Sequence, residues 1–428
     1  MKSLMCLLKR INGFFGPAII VIILLNLVSS AYGAEEKRKV PAMGQKTIKQ
    51  LVKAQKLLEE DKPTKSLAVL NKFITGGRKL NDFELAQLAS MQGYIYYSED
   101  NFDKAIGSFQ LVLQQQKIPI TLENSTRYQL SQLLYAEERF KESLDALKRW
   151  FKDTGAENAA AYAQMGQIYY QIKQHEKAIA PLEKAVSLVE KKGKPATESW
   201  YSLLRILYYQ KEDNKNVARL LEKLVRIYPK REYWLQLSEI YGLMGKENKR
   251  LSTLDAAYLL GFVNTENRLL GLAGLYVDFG LPFKAAKVIA KGLKDNIISS
   301  TASNQNFLAN AWFQAQEIKK SILAMTLAAE LSGEGGTYAA LTSIYLEDER
   351  YELAVDSAKE ALSKGGLKSE GLVWLDLGRA LFNTGKFSES KKALKKAQHH
   401  GKSKKYASQW LKYVENELSR RKSLQAMR

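Results

Sequence analysis

Cysteine is almost missing from this chain of 428 residues: Cys6 is the only one. If residues 1–33 are removed, none remains, so disulfides are excluded as a source of stability and a cysteine-based zinc site is excluded with them. Histidine is nearly as scarce, represented by His175, His399 and His400. The last two are adjacent and cannot both meet one metal from the same helical surface, so no metal site is expected. Catalytic signatures are missing too. The sequence has no H-E-x-x-H, and neither a phosphate-binding G-x-x-x-x-G-K-[ST] nor a G-x-S-x-G falls in a strand–turn–helix context. Within the groove that the repeats would form, only Glu232 and Glu239 offer a carboxylate pair, seven residues apart on one helix side, and a solvated or arginine-paired role suits them better than catalysis. The chain is therefore not expected to be an enzyme, and no cofactor is expected.

What is present begins with an export signal. Lys2, Lys9 and Arg10 form a positive start, residues 14–28 form an apolar run, and Ala31, Tyr32 and Gly33 place small residues at the cleavage positions before Ala34. Fifteen apolar residues are short for a bilayer span, which takes about twenty, although Ile11 and the residues up to Tyr32 lengthen the segment if it stays uncleaved. The expected location is the periplasm, with tethering to the inner membrane if the signal is retained. Residues 34–45 read as a linker.

Charge is uneven. Of the net +20, residues 1–33 carry three basic groups and no acidic ones, which leaves +17 beyond them. Residues 386–428 hold thirteen Lys or Arg against three Glu. The candidate basic docking surface is Lys391, Lys392, Lys395, Lys396, Lys402, Lys404, Lys405, Lys412, Arg420, Arg421 and Lys422. It suits an anionic membrane surface or an acidic protein, or it is simply a solvated helix face; export argues against nucleic acid.

The middle of the chain repeats. A small residue recurs at Ala54, Gly93, Ser131, Gly166, Ser238, Ala273, Ala309, Thr342 and Gly378, with Leu204 taken as the fifth member of the series. Twelve residues later a second small residue follows at Ser66, Ala105, Ser143, Ala178, Ala285, Ser321, Ala354 and Ser390. The fifth copy reaches Val217 only with one extra residue in the turn 212–216, and the sixth puts Arg250 there. Large residues open the first helices (Trp200, Trp234, Tyr338, Trp374) and others follow the small residue (Tyr96, Tyr169, Tyr241, Tyr276, Trp312, Tyr345), all expected to pack between copies. Gly245, Gly280 and Gly385 suit the left-handed end of a first helix, and Pro229 closes the fifth copy. The glycine pairs at 76–77, 335–336 and 365–366 read as helix stops between copies.

Tyr162, Met165, Gly166, Tyr169, Ala178, Leu182 and Ala185 match the W-x2-L-G-x2-Y…A…F…A pattern of the tetratricopeptide repeat, which residues 46–400 resemble. The resemblance implies an all-α, right-handed superhelical α-solenoid of about ten helix–turn–helix repeats. Residues 401–428 supply a basic capping helix and tail, with Tyr406, Trp410, Tyr413 or Val414 and Leu418 on its packed stripe. In this family the first helices line a concave groove, with ligand contacts at set positions of each copy. Carried onto this chain, those positions give a partner-binding groove of Tyr94, Tyr97, Tyr128, Tyr135, Tyr170, Tyr201, Arg205, Tyr208 and Tyr209. Tyrosine offers large contact area, few rotors and a polar tip, which suits a bound peptide or helix, although packing between copies explains it equally. From copy six onward the twelfth position reads Gly242, Val277, Phe313, Leu346 and Phe382, so the groove is expected to change character.

Segments 255–258, 281–288, 291–295, 381–386 and 409–414, which include Asp255, Pro282, Phe283, Gly292, Asn383, Gly385 and Trp410, resemble exported gammaproteobacterial tetratricopeptide proteins described as putative components of TonB systems. That resemblance spans residues 233–421. It implies a non-enzymatic periplasmic scaffold or adaptor beside a TonB–ExbB–ExbD energy-transduction system, with protein partners. The alternative is a cell-envelope assembly factor that binds outer-membrane or peptidoglycan-associated proteins.

Overall fold

A computed structural model describes residues 38–426. The expected export signal at 1–33 lies outside them, as do the start of the expected linker and residues 427–428. Among the described residues every regular element is an α-helix, and none is long and apolar enough to cross a membrane. Two compact units are present, with the boundary between Lys192 and Gly193, after the fourth copy.

The first unit holds four helix pairs. They are α1 (Gln45–Glu59) with α2 (Pro63–Thr75), α3 (Asp82–Ser98) with α4 (Phe102–Gln114), α5 (Ile120–Ala136) with α6 (Phe140–Thr154), and α7 (Ala159–Gln171) with α8 (His175–Glu190). The second unit holds six pairs and a final helix. Its pairs begin with α9 (Glu198–Gln210) and α10 (Asn214–Ile227), α11 (Arg231–Leu243) and α12 (Glu247–Leu259), then α13 (Glu266–Asp278) and α14 (Pro282–Lys294). They continue with α15 (Ala302–Gln314) and α16 (Ile318–Ser332), α17 (Gly335–Glu347) and α18 (Tyr351–Lys364), then α19 (Glu370–Asn383) and α20 (Phe387–Gln398). The final helix is α21 (Gly401–Ala426). This is the all-α helical-repeat solenoid class expected from the spacing.

Eight of the ten described pairs cross at two small residues. All eight residues of the second small series are fully buried. Where that residue is serine, its hydroxyl donates to the carbonyl of the first small residue: Ser66 to Ala54 at 2.8 Å, Ser143 to Ser131 at 2.6 Å, Ser321 to Ala309 at 2.8 Å and Ser390 to Gly378 at 2.7 Å. The sixth copy reverses the arrangement, and Ser238 donates to the carbonyl of Arg250 at 3.1 Å. A Cβ added to Gly242 would lie 3.1 Å from Arg250 Cδ, so the bare Gly242 makes room for the arginine stem. Large residues after the crossing fill the gap to the preceding copy, as expected. Tyr241 donates its hydroxyl to Glu222 at 2.5 Å and Tyr276 donates to Asp255, both carboxylates lying on the previous second helix. Burial first, and then these bonds to carboxylates, push both phenols above their ordinary pKa.

One turn joins the two helices of every copy. A left-handed residue lies seven positions after the crossing: Asp61, Asp100, Glu138, Lys173, Gly245, Gly280, Gln316, Glu349 and Gly385, with Glu212 in the fifth copy. The next residue donates its N–H to the carbonyl five positions earlier, as in Asn101 to Tyr96 at 2.8 Å and Leu281 to Tyr276 at 2.7 Å. That is the Schellman closure, which satisfies the last carbonyls of the first helix.

This turn corrects the register of the fifth copy. Counting back seven from Glu212 gives Arg205, not Leu204, and twelve residues on from Arg205 is Val217 without any insertion. The burial pattern agrees: Tyr201, Leu204, Leu207 and Tyr208 occupy the offsets that Leu269, Leu272, Leu275 and Tyr276 occupy around Ala273. An arginine therefore sits where other copies keep a small residue. Its side chain leads sideways, and Nη1 donates to Gln236 at 2.7 Å. A second correction concerns Gly335, which opens α17 and does not stop a helix. A Cβ there would lie 2.3 Å from the Gly365 carbonyl oxygen, so close backbone approach explains it.

The first copy is tied to the second through Glu84. Its carboxylate accepts from Gly44 N at 2.9 Å, Thr47 Oγ1 at 2.7 Å and Asn81 N at 3.0 Å, while Asn81 caps α3 in return. Burial works to raise this carboxyl's pKa, but the bonds from Asn81, Thr47 and Gly44 outweigh it, and the net shift is downward. A lowered carboxyl stabilises the fold above its unfolded pKa and loses that contribution as pH falls through the folded one. Glu84→Gln should therefore destabilise the protein by about 1–3 kcal/mol at pH 7. The gap from wild type should narrow between about pH 5 and 3, read by thermal melts followed by circular dichroism.

The crossing and the turn make separable demands on glycine. A Cβ on Gly166 would lie 2.4 Å from Leu182 Cγ, whereas Gly280 has φ 67° and open space around it. Gly166→Ala should cost about 1–3 kcal/mol through overpacking, and Gly280→Ala about 1 kcal/mol through backbone strain alone. Urea titration of the two variants, with the reverse order as the contrary outcome, checks this.

Candidate partner-binding surface

The first helices of the first unit carry five of the expected groove tyrosines, and the structure sorts them. Tyr94 lies edge-on to Phe109 and donates its hydroxyl to Gln129 of the next copy at 2.8 Å. Tyr128 stacks on Trp150 with ring centroids 4.9 Å apart. Tyr97, Tyr135 and Tyr170 share the twelfth position. Each leans on a ring at the start of its second helix: Phe102 at 5.8 Å, Phe140 at 5.6 Å and His175 at 5.1 Å respectively. The same offset pairs Phe382 with Phe387 at 5.3 Å in the tenth copy of the second unit. A ring four residues after the crossing is thus braced by one five residues further on, a pairing missed in the sequence although its spacing is regular.

Burial pushes the phenols of Tyr94, Tyr128 and Tyr135 above their ordinary pKa, and hydrogen bonds to Gln129, Gln132 and Gln171 only partly offset it. These three therefore tie helices and copies together. Tyr97 is open to solvent, and Tyr170 is half-buried.

In the second unit the register shift redistributes the rest. Tyr201 is fully buried and Tyr208 nearly so, which corrects their expected place on a ligand-facing surface. The cause is the one-residue offset, which turns both toward neighbouring helices. Tyr201 accepts from the Ala196 N–H at 3.2 Å, and Tyr228 donates to the Ala196 carbonyl at 3.0 Å, so both hydroxyls hold the connector before α9. Tyr209, 58% exposed, takes the twelfth position instead. Arg205 is half-buried at the crossing; its Nε has no hydrogen-bond partner, and burial lowers its pKa.

The basic end is partly spent on the fold. Lys391 pairs with Glu415 at 2.8 Å, Lys396 lies 4.0 Å over the Trp374 ring, and Arg421 lies 4.2 Å over Phe387. Bonds from Arg420 and Arg421 draw the Glu417 carboxyl down to about 2. Lys392, Lys395, Lys402, Lys404, Lys405, Lys412 and Lys422 are exposed. The packed stripe of α21 is Ala407, Trp410, Leu411, Val414 and Leu418. Tyr406, expected on that stripe, is 56% exposed, and of the two alternatives at the third position Val414 is buried while Tyr413 is 63% exposed, because burial follows the 407–411–414–418 spacing.

Glu232 and Glu239 are both exposed on α11, and among the described residues no group of three or more His, Cys, Asp or Glu could hold a metal ion. His400 packs against Gly371, where a Cβ would lie 2.3 Å from its own.

Burial separates tyrosines that hold the fold from those free to bind. Tyr201→Ala should cost about 3–5 kcal/mol, whereas Tyr209→Ala should stay within about 0.5 kcal/mol of wild type. Chemical denaturation of the two variants measures the difference.

Family models described as tetratricopeptide repeat match residues 125–191 and 372–398. No curated protein sequence is significantly similar to the chain. Among solved structures, a tetratricopeptide repeat protein from Parabacteroides merdae is 12% identical, over 58% of this chain and 93% of that one, with a TM-score of 0.34. MamA from Desulfovibrio magneticus, residues 41 to the end, is 20% identical over 44% and 97%, with a TM-score of 0.35. The APC/C assembly Cut9–Hcn1 is 13% identical over 86% and 83%, with a TM-score of 0.30. With TM-scores of this size, none of them carries an inference about this chain. The two matched stretches support the tetratricopeptide repeat family, whose repeats bind protein partners and typically serve as non-enzymatic scaffolds.

Proposed function

We propose that this chain is an exported, non-enzymatic adaptor that holds a protein partner on the first-helix face of its first unit. The observation that carries the reading is the braced series Tyr97, Tyr135 and Tyr170, one ring per copy at the same register. Rings already fixed by a neighbour lose little freedom on binding, and their hydroxyl tips suit the polar backbone of a peptide or the edge of a helix. The periplasmic location rests on the signal-like residues 1–33. An accessory role beside a TonB–ExbB–ExbD system rests on the resemblance of residues 233–421. A second reading, an envelope assembly factor resting on anionic lipid, is favoured by the exposed Lys402, Lys405 and Lys412 on α21.

Photocrosslinking in cells from positions 135 and 170, followed by mass spectrometry, separates these readings. Recovery of TonB-system components supports the first, and recovery of outer-membrane or peptidoglycan-associated proteins supports the second. Recovery of abundant bystanders alone removes both. With the recovered partner, the Tyr135→Ala, Tyr170→Ala double variant should bind more than about tenfold more weakly, and a loss under threefold would refute the tyrosine face. Binding through α21 should instead weaken steeply with salt.

A further inference from the structure

The second helices of copies seven, eight and nine expose a surface that the adaptor reading does not use. On α16, Leu323, Leu327 and Leu331 stand at four-residue spacing and are 74%, 37% and 50% exposed. An apolar row this open on a second helix leaves buriable surface in water. The second helices of the preceding and following copies are charged at the equivalent positions. At the three equivalent positions α14 and the residue capping it carry Lys287, Lys291 and Asp295, and α18 carries Asp356, Glu360 and Lys364, all exposed. Lys320 of α16 lies over the Phe283 ring of α14, so the two second helices are side by side within this unit.

The order of signs is informative. One flank reads plus, plus, minus and the other reads minus, minus, plus, in the same chain direction, because each is the second helix of its copy. A two-fold axis running along the leucine row exchanges the flanks and keeps the direction. It sets Leu against Leu, Lys287 against Asp356, Lys291 against Glu360, and Asp295 against Lys364. A two-fold perpendicular to the row would instead bring each flank onto itself and oppose Lys291 to Lys291. Rows of four-residue spacing packed on each other give the commonest helix crossing, near −50°. From these observations the geometry points to a second copy of this chain as the occupant: copies seven to nine form an isologous two-fold self-association surface.

Its size fits a reversible dimer. Three ridges about 10 Å apart and one helix of roughly 22 Å cover roughly 600–700 Å² per copy, at the low end for a specific interface. Burial of the leucine row supplies attraction, and the charge order selects the orientation. Lys291 pairs with Asp295 at 2.5 Å within its own chain, and the dimer offers each a partner of the same kind across the axis.

Sedimentation velocity on the purified full chain, up to roughly 100 µM, tests this. The wild type should show a concentration-dependent monomer–dimer equilibrium, and Leu323→Ser with Leu327→Ser should stay monomeric while its circular dichroism remains helical. Reversing one flank (Lys287→Glu with Lys291→Glu) should weaken the dimer at least about tenfold, and so should reversing the other (Asp356→Lys with Glu360→Lys). Mixing the two reversed chains should restore association, since one then presents two acidic flanks and the other two basic ones. A wild type that is monomeric throughout, a dimer indifferent to the leucines, or reversed chains that fail to pair when mixed would each overturn the proposal. All the altered residues lie outside the tyrosine face, so this outcome is independent of partner binding there.

Discussion

The close crossing of two helices within each copy is the contact from which the rest of the structure follows. Where the first position is glycine, even a methyl group would meet a side chain of the facing helix: a Cβ would lie 2.6 Å from Phe109 at Gly93 and 2.6 Å from Leu394 at Gly378. Where serine replaces alanine on the second helix, the hydroxyl is not buried without a partner. It finds a carbonyl of the first helix that the close approach has brought within 2.6–2.8 Å. Small residues therefore occupy the crossing for one steric reason, and on the second helix a hydrogen bond lets serine stand where other copies have alanine.

The turn that follows is fixed independently, and this explains how a copy survives an exception at its crossing. Arg205 occupies the first small position, yet the left-handed Glu212 and the bond from Asp213 N to the Tyr208 carbonyl at 3.0 Å close α9 as in every other copy. The arginine head reaches Gln236 in the next copy and leaves Val217 and Leu221 to fill the interior. Arg250 is accommodated differently, by the absence of a side chain at Gly242 and by the reversed bond from Ser238. Both exceptions are local repairs around an unchanged backbone.

Ten crossings were legible in the sequence because smallness at fixed spacing is a strong steric demand, and nine were placed on the right residue. The fifth was placed on Leu204 because arginine at a crossing violates the rule by which crossings are found. The turn would have identified it, but seven of the ten left-handed residues are not glycine, so the turns are poorly marked by composition. One residue of error then moved Tyr201 and Tyr208 from the interior to an imagined surface. The same difficulty affected α21, where tyrosine and tryptophan both read as apolar and only the packed 407–411–414–418 series tells which face is inward. Aromatic identity locates a ring in the repeat, but its burial depends on register to a single residue.

Positions that the crossing and the turn do not constrain are where copies are free to differ, and in this chain they differ with a pattern. On first helices the free position four residues past the crossing is tyrosine in copies two to five, and in three of these a second ring braces it. On second helices the outward positions run from basic to leucine to acidic over three successive copies. Neither pattern is demanded by a crossing or a turn: Leu323 is 74% exposed, and Tyr97, although it leans on Phe102, is 44% exposed. Residues that the fold does not require, and that cost solubility when exposed, are best accounted for by surfaces outside the copy that carries them. The repeat thus leaves positions free on both helices of a copy, and in this chain the two sets carry different chemistry: rings with hydroxyl tips on first helices, and leucine between charged rows on second helices.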